Sequence, residues 1–450
     1  MEKITLPNGY EWVDTNDPQF VRALKLALES RDNLFIQGKA GVGKSLLIKL
    51  IASLRKNVIV LSTTGTTAME LSTESIAAQT LHSFFMLPPV PIFSENDFIR
   101  MYKTRKFLNA AEVIIIDEAS MMSNYLFDTI CNKIIYNRKD GQIPQLVLLG
   151  DVMQLPPVIG NDPIVKAMYQ KEYGGKCMFF NSHYFKNLKF RTIHLRKSFR
   201  QTDQEFANRL FEIGYNDHTK ETLDYFNQNV MSLSAFEKKF QQFMYMTPTN
   251  KMVDSINNAY INQLTGESMT YEAEMSSSFP ASKKPSSDRI EIKIGAQVMC
   301  TTNGPDAKAG GQGYTNGMIG EVVHLEPECV TIQLANGSIR HVGKTTMNVY
   351  DISLDENGDI TYTTKDWYRQ IDCKVAKGIT IHKSQGKTFD AAYIALQGWV
   401  PEGLTYVALS RLKSFDGFGL SRPLKESDIK INEEAFKFLV EPPEVVRRPL

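Results

Sequence analysis

Cysteine, net charge and long apolar runs are all scarce in this sequence. Its 450 residues include five cysteines; an odd set without Cys-x-x-Cys spacing argues against a disulfide framework and a zinc site, and fits structural thiols in a reducing compartment. No apolar run reaches the about 18 residues that cross a bilayer, and the first residues carry no leader pattern. We therefore expect a cytoplasmic protein without a membrane partner.

The charge balance is almost even. The chain has 51 Lys and Arg against 50 Asp and Glu, a net charge of +1. Nucleic-acid-binding domains often carry a basic excess, so a nucleic-acid partner would have to bind in a local groove where Lys, Arg and backbone N–H groups gather. The length predicts two to four domains, and a hydrophobic fraction of 42% is typical of a folded globular chain.

Short apolar runs bounded by Gly, Asp, Asn or Thr recur in the first 200 residues. They occupy residues 33–37, 57–61, 112–116 and 145–149, and stretches with helical spacing, such as 45–54 and 125–136, lie between them. Continuous apolar runs are typical of strands buried on both faces of a parallel sheet. The alternation predicts an α/β domain with helices on both faces of the sheet.

The pattern changes twice after residue 199. Helical spacing at 205–214, 221–226 and 251–264 and a strand pattern at 243–247 precede a Ser-, Pro- and Lys-rich loop at 275–289. Asn-Gly pairs, which favour hairpin turns, then begin at Asn303, Asn316, Asn336 and Asn357. They predict a small antiparallel barrel over residues 297–375. Because the α/β pattern returns at 391–409, we expect the barrel to be inserted into a second α/β domain.

One segment matches the phosphate-binding pattern G-x-x-x-x-G-K-[ST], and it reads Gly38-Lys39-Ala40-Gly41-Val42-Gly43-Lys44-Ser45. It lies between a predicted strand and a predicted helix, which is the context that the pattern needs. Such a loop surrounds phosphates with backbone N–H groups, and the helix N-terminus adds its positive dipole end. We expect every residue of this segment except Lys39 to line the nucleotide, with Lys44 on the β- and γ-phosphate oxygens and Ser45 on Mg²⁺. A glycine-rich connecting loop is the alternative.

Two further strand ends carry polar residues. The apolar run at 112–116 ends on Asp117 and Glu118, which are placed to hold Mg²⁺ and to orient and deprotonate the attacking water, respectively. The run at 145–149 leads to Gln154, which we expect to sense the γ-phosphate. Solvated loop carboxylates and a turn-capping glutamine are the alternatives.

From Asp17 to Arg411 the motifs resemble, in order, those of superfamily 1 DNA helicases of the Pif type, whose relatives include RecD and the phage Dda helicase. The matching segments are residues 17–19, 38–45, 62–68, 80–85, 117–121, 150–158, 195–201, 247–250, 380–386 and 406–411.

The resemblance implies ATP and Mg²⁺ as cofactors and assigns further nucleotide contacts. Gln19 matches an adenine-reading glutamine, whose amide can pair with adenine N6 and N7. Arg200 and Arg411 match two arginines that reach the γ-phosphate from the second domain and stabilise transition-state charge. Gly386 is assigned to the same site. A surface ion pair is the alternative for each arginine.

The resemblance also assigns contacts to single-stranded DNA. They are Thr64, His82, Thr249, Asn250, His382, Lys383 and Ser384. Hydroxyl, amide and imidazole groups suit phosphate and sugar contacts that ignore base sequence, although either histidine could instead fill a structural role. Phe84 and Phe85 could stack on bases, but we interpret them as core residues.

The implied fold is α/β, with two tandem RecA-like P-loop NTPase domains. The first covers residues 1–195 and contains a small wedge insert within 69–106, in which Phe93, Tyr102 and Phe107 could press on a duplex junction. The second covers 196–296 and 376–430, the SH3-like barrel covers 297–375, and residues 431–450 form a C-terminal tail.

The implied activity is that of an ATP-dependent DNA helicase with DNA-stimulated ATP hydrolysis. Its direction, 5′-to-3′, comes from the family alone. The resemblance extends to forked and G-quadruplex DNA, to roles in repair, recombination and telomere maintenance, and to a monomeric motor. An ATP-switched binding module without translocation is the main alternative, against which Glu118, Arg200 and Arg411 argue. A nuclease-coupled subunit and a P-loop kinase are more distant alternatives.

Overall fold

The structure, a computed structural model, divides the chain into two compact units. It describes residues 17–440 except 40, 74–75, 88–103, 158, 160–161, 198–202, 278, 280–283, 285–286, 303, 305–312, 315, 355, 357–359 and 397–399. The first unit comprises Met1–Phe199, Tyr350–Thr364 and Asn432–Leu450, and the second comprises Arg200–Val349 and Lys365–Ile431. None of the helices in the described part of the chain is long and apolar enough to cross a membrane.

The first unit is built on a six-stranded parallel sheet. Its strands are β1 (Leu34–Gly38), β2 (Val58–Ser62), β3 (Gln79–Thr80), β4 (Val113–Asp117), β5 (Gln145–Gly150) and β6 (Arg191–Leu195), in the order β3-β2-β4-β5-β1-β6. Every residue of β1, β2, β4 and β5 is buried, as expected for strands covered on both faces. These are the four strands that the apolar runs predicted. β3 and β6 were not predicted.

Helices follow most of these strands. They are α1 (Pro18–Glu29), α2 (Lys44–Leu54), α3 (Gly65–Leu71), α4 (Leu81–Phe84), α5 (Arg105–Ala110), α6 (Asn124–Asn137), α7 (Pro163–Tyr173) and α8 (His183–Leu188). The start of α1 shows how the sequence fixes an end: the Asp17 carboxylate accepts hydrogen bonds from Gln19 N at 3.0 Å and Phe20 N at 3.2 Å, and Pro18 supplies a helical φ. The buried face of α1 packs on α2.

The second unit contains a smaller parallel sheet. Its helices are α9 (Gln204–Gly214), α10 (Lys220–Asn227), α11 (Leu233–Lys239), α12 (Asn250–Gln263) and α13 (Leu404–Leu409). Its parallel strands are β7 (Met244–Thr247), β17 (Gly378–Thr380), β18 (Ala392–Ile394) and β19 (Phe418–Leu420), in the order β17-β7-β18-β19. The helical and strand patterns predicted at 205–264 and 391–409 are confirmed, with ends shifted by one or two residues.

Antiparallel strands occupy the chain between β7 and β17. They are β8 (Ser268–Glu272), β9 (Glu274–Met275), β10 (Arg289–Lys293), β11 (Gln297–Cys300), β12 (Ile319–Glu326), β13 (Cys329–Gln333), β14 (Ile339–Leu354), β15 (Ile360–Ile371) and β16 (Cys373–Val375). β8 pairs with β10, and the others form a sheet in the order β16-β11-β12-β13-β14-β15-β9. The predicted hairpin at Asn336 joins β13 to β14, with Gly337 at φ 81°. Asn303 and Asn357 lie outside the described residues.

A buried glutamine connects this antiparallel sheet to the parallel sheet of the second unit. Gln297 on β11 is buried; its side chain donates to Phe243 O and Ala376 O, each at 2.8 Å, and accepts from Phe243 N at 3.1 Å. Gln297 N also donates to the Tyr260 hydroxyl at 2.6 Å. Because a buried amide is costly unless its polar atoms are bonded, these contacts fix where the antiparallel sheet attaches to β7.

The predicted C-terminal tail contains a helix, α14 (Glu433–Val440), that belongs to the first unit. The Phe438 ring stacks on Phe180 with centroids 4.2 Å apart and an interplanar angle of 1°, and it also lies 5.6 Å from Phe35. Glu434 pairs with Lys176 at 3.2 Å. The aromatic contacts supply the apolar burial that holds so short a helix.

We expect Phe438→Ala to destabilise the first unit by about 2 kcal/mol, because truncating a fully buried phenylalanine costs about 3–5 kcal/mol and Phe438 is only partly buried. Thermal unfolding measures the effect, with the exposed neighbour Lys437→Ala as a matched control. Equal melting temperatures for Phe438→Ala and the control would show that α14 contributes nothing to the stability of the unit.

Candidate active site

The phosphate-binding segment lies between β1 and α2, as predicted. Gly41 and Gly43 have φ of 82° and 87°, a left-handed conformation that a side chain disfavours. Gly43 is the N-cap of α2 and supplies no side-chain cap, so the helix N-terminus directs its N–H groups and dipole into the loop. The Lys44 ammonium donates to Gly38 O at 2.6 Å and Lys39 O at 2.9 Å, which places it over the loop. Ala40 lies outside the described residues.

The predicted carboxylate pair stands at the end of β4. Asp117 is buried, and its Oδ1 accepts from Glu118 N at 2.9 Å, while Glu118 takes a φ of 52°. Burial and the neighbouring Glu118 carboxylate raise the pKa of Asp117 to about 7, and the Lys44 ammonium opposes that shift. The opposing effect of Lys44 indicates that the ammonium and the Asp117 carboxylate are electrostatic neighbours in one site.

The donor set suits a divalent cation that is shared with phosphates. A cation beside Asp117 would favour the ionised form of two adjacent carboxylates that otherwise repel each other. Within the described ranges no group of three or more His, Cys, Asp or Glu side chains could hold a metal on its own. Mg²⁺ uses few protein ligands when substrate phosphates and water complete its coordination shell. Here those ligands would be Asp117 and the exposed Ser45 at the start of α2.

A close backbone approach brings the ends of β4 and β5 together. A Cβ on Gly150 would lie 3.0 Å from Ser120 N and 3.1 Å from Ala119 N, so only glycine allows this contact without displacing the chain that follows Glu118. The register of β1 and β5 pairs Gln37 with Gly150. The segment after β5 therefore lies between the phosphate loop and the carboxylate pair.

That segment contains a buried hydrogen-bond network, only part of which the sequence predicts. The predicted Gln154 is buried, and its Nε2 donates to Asp151 Oδ2 at 3.1 Å. Asp151 Oδ1 accepts from Gln37 Nε2 at 2.8 Å. Gln37 and Asp151 were not selected as site residues, although a glutamine inside an apolar strand pattern and an acid directly after a buried strand were visible signals.

Lys39, inside the loop, interacts electrostatically with Asp151 of this network. Burial lowers the pKa of Lys39 to about 8, and the Asp151 carboxylate opposes that change. The Asp151 carboxylate therefore favours the charged form of Lys39.

Two segments that are predicted to bind single-stranded DNA lie at the same edge of the first sheet. β2 and β3 are parallel neighbours with Ser62 opposite Thr80, so the residues that follow each strand, Thr64 and His82, come to the same edge. Thr64 Oγ1 accepts from Thr67 N at 3.2 Å at the start of α3. Burial lowers the pKa of His82, which favours the neutral imidazole and leaves its ring nitrogens for hydrogen bonding.

The second unit repeats this arrangement. β7 and β17 are parallel neighbours with Thr247 opposite Thr380. Beyond these ends stand the exposed predicted contacts, Thr249, Asn250, His382 and Lys383. Thr249 is also the N-cap of α12.

Two predicted residues near β17 have structural roles in this conformation. Ser384 is fully buried and its hydroxyl donates to Ile381 O at 2.7 Å, so its side chain stabilises the turn after β17. Gly386 has a φ of 79°, which favours glycine at this position.

Three further residues are predicted to contact the nucleotide, and the structure describes two of them. Gln19 is half-buried at the start of α1. Arg411 is fully buried, with Nε donating to Val407 O at 3.0 Å and Nη2 to Ser410 Oγ at 2.7 Å, so its guanidinium is held by the end of its own helix. Arg200 lies outside the described residues, and the γ-phosphate roles of both arginines stay predictions.

The aromatic residues give one confirmation and one correction. Phe84 and Phe85 are fully buried and pack edge to face at 5.0 Å, which confirms the core interpretation. Phe107 is also buried, so the expectation that it presses on a duplex junction is wrong. Phe93 and Tyr102 lie outside the described residues. All five cysteines belong to the described part of the chain and are free thiols.

A parallel sheet with a phosphate loop after one strand, an Asp-Glu pair after another and a second parallel α/β unit define a P-loop NTPase with two RecA-like domains. The model of the PIF1-like helicase family matches residues 21–224. The chain is 28% identical over 402 residues to the ATP-dependent DNA helicase Pif1 of Campylobacter jejuni subsp. jejuni, covering 84% of this chain and 86% of that one.

Solved structures agree with this match. The crystal structure of Bacteroides sp Pif1 in complex with ADP-AlF4 superposes with a TM-score of 0.84 at 29% identity, covering 94% of this chain and 96% of that chain. Bacteroides Pif1 bound to ssDNA superposes with a TM-score of 0.62 at 30% identity, covering 94% and 95%. The chain belongs to the PIF1-like helicase family.

We expect Lys44→Ala to abolish ATP binding at micromolar nucleotide, because the loop would lose the only side chain that the phosphate pattern directs at the β- and γ-phosphates. Fluorescent-nucleotide titration measures the affinity, and the exposed Lys56→Ala serves as a matched control. An unchanged affinity in Lys44→Ala would remove the nucleotide from this loop.

Proposed function

We propose that this protein is an ATP-dependent DNA helicase that moves along single-stranded DNA and separates the duplex ahead of it. The observation that carries the proposal is the meeting of the phosphate loop, the Asp117–Glu118 pair and Gln154 at the carboxyl ends of adjacent strands. Membership of the PIF1-like helicase family supports the same activity. Both the site and the family favour ATP hydrolysis over ATP binding without hydrolysis.

The roles of the nucleotide-site residues follow from their chemistry. Lys44 and the N–H groups at the start of α2 bind the phosphates, and Gln19 pairs with the adenine edge. Glu118 orients the attacking water and accepts its proton, and Gln154, which is placed to sense the γ-phosphate, also contacts that water. Ser45 and Asp117 would hold Mg²⁺, whose bound charge neutralises the phosphate oxygens. Arg200, Arg411 and Gly386 remain the proposed further contacts to the nucleotide.

The DNA track is proposed to run over the two strand-end patches. Thr64 and His82 form the patch of the first unit. The patch of the second unit consists of Thr249, Asn250, His382 and Lys383. Buried Ser384 stabilises the turn that carries His382 and Lys383. Neutral donors and one lysine suit contacts to phosphate and sugar that any sequence satisfies. The near-zero net charge is compatible with such local binding.

The finer substrate assignment is also a proposal. Movement 5′-to-3′, action on forked and G-quadruplex DNA and function as a monomer come from the family resemblance. Pif1 of Bacteroides, in the structure that superposes at 30% identity, is bound to ssDNA, which supports single-stranded DNA as the ligand that this chain tracks.

DNA-stimulated hydrolysis tests the proposal. We expect ATP turnover by the wild-type protein to rise at least tenfold when a single-stranded oligonucleotide is added, because DNA binding must promote the catalytic arrangement in a motor. Glu118→Gln should lower turnover by about 10²–10⁴-fold and leave the affinity for DNA intact. Phosphate release and fluorescence anisotropy give the two readouts. Equal turnover with and without DNA would contradict the motor. Stimulated hydrolysis without strand displacement would favour an ATP-switched binding module.

A charge substitution tests the second-unit patch. Lys383→Ala should weaken single-strand binding and lower the slope of log affinity against log salt by about 0.7, the contribution of one phosphate contact on a single strand. Lys238→Ala, an exposed lysine on α11, is the matched control. A slope unchanged from that of wild type would exclude a phosphate contact by Lys383.

A further inference from the structure

Two buried residues, Gln37 and Asp151, lie beside the candidate nucleotide site. Gln37 is the residue before Gly38 and is 1% exposed, while Asp151 follows β5 and is 0% exposed. The Gln37 amide is bonded at both ends: Nε2 donates to Asp151 Oδ1 at 2.8 Å, and Oε1 accepts from Val152 N at 3.1 Å. The entrance of the phosphate loop is thereby fastened to the segment after β5.

The chemistry of these partners fixes the orientation of both amides. Asp151 is an acceptor when ionised, so each glutamine must present its nitrogen to it. If the Gln37 amide were flipped, its Oε1 would face the Asp151 carboxylate oxygen and its Nε2 would face the N–H of Val152. For Gln154, the Nε2 bond to Asp151 Oδ2 at 3.1 Å turns the carbonyl oxygen away from the carboxylate. Gln154 Oε1 then remains available to accept from a donor such as a water.

We propose that Gln37 and Asp151 are positioning residues that hold Gln154 with its carbonyl oxygen toward the attacking water, and that they keep this glutamine in register with the phosphate loop. The inference rests on the proposed function, since it concerns ATP hydrolysis at that site. Asp151 also accepts from Met153 N at 3.2 Å, which sets the backbone turn that leads to Gln154. Each link is short and buried, so little rearrangement is available when a link is lost.

The proposal separates nucleotide binding from turnover. Gln37 makes its contacts with the segment after β5, and Lys44 makes its contacts with Gly38 O and Lys39 O, so removal of the Gln37 amide leaves the Lys44 contacts in place. The loss falls on the alignment of a group that acts in the transition state. Such a loss lowers kcat and leaves the KM for ATP nearly unchanged.

The experiment uses the full chain with a saturating single-stranded oligonucleotide, ATP and Mg²⁺. Gln37→Met, which keeps the length of the side chain and removes both polar atoms, should lower kcat at least about tenfold, because small misplacements of reacting groups have effects of up to about 10²-fold. KM and the affinity for ADP should stay within about threefold, while the affinity for ADP-AlF4 falls in parallel with kcat. Gln37→Met combined with Gln154→Ala should be no slower than Gln154→Ala alone, because residues that act as one unit are not additive.

A matched control lies at the other end of β5. Gln145 is also buried and also bonded at both ends of its amide, to Asp32 O at 2.8 Å and Arg55 Nη1 at 3.0 Å. Gln145→Met should lower the melting temperature and leave kcat unchanged. An equal loss of kcat in Gln145→Met would assign the effect of Gln37→Met to general destabilisation and would overturn the inference.

A second variant keeps the test open if Gln37→Met does not fold. Asp151→Asn keeps the shape of the side chain but offers one acceptor oxygen to two amides, so kcat should again fall with KM retained. Wild-type turnover in either variant, alongside slow turnover in Gln154→Ala, would refute the positioning role and leave the helicase proposal standing. Absence of DNA-stimulated hydrolysis in the wild-type protein would instead reject the proposed function itself.

Discussion

The candidate site depends on one constraint, the parallel pairing of β5 with its two neighbours, β4 and β1, in the fully buried centre of the first sheet. That pairing sets Gln37 opposite Gly150 and leaves the chain after β5 between the phosphate loop and the Asp117–Glu118 pair. Gly150, at the end of β5, lies so close to the chain after Glu118 that a Cβ there would stand 3.0 Å from Ser120 N. Burial of apolar strands on both faces therefore fixes the positions of the polar residues that follow them.

The ends of adjacent parallel strands also carry the residues of the proposed DNA track. In each unit two parallel strands end side by side, and the residues just beyond them carry hydroxyl, amide or imidazole groups. Such groups at strand ends are positioned by the sheet and not by long side chains, which suits a surface that must bind any base sequence. The proposed nucleotide and DNA contacts lie at the ends of different strands of one sheet, so movement of one strand end would alter both proposed sites.

Sequence reasoning predicted those parts of the molecule whose signals are local. Apolar runs located the central strands, and glycine spacing located the phosphate loop, because backbone geometry there demands particular residues. β6 was missed since His194 and Arg191 interrupt its apolar pattern, and α14 was missed since its burial depends on Phe180 and Phe35, distant in sequence. Phe107 was placed at a surface although it packs inward. Gln37 and Asp151 acquire meaning only once β1 and β5 are known to be neighbours.

Strand displacement from matched duplexes carrying either a 5′ or a 3′ single-stranded tail tests the central claim most directly. With ATP and Mg²⁺ the account predicts that the wild-type protein releases the strand from the 5′-tailed duplex, that the 3′-tailed duplex stays paired, and that Glu118→Gln releases neither. Equal release from the 5′-tailed duplex by wild type and Glu118→Gln, or release without ATP, would contradict a motor driven by hydrolysis at this site.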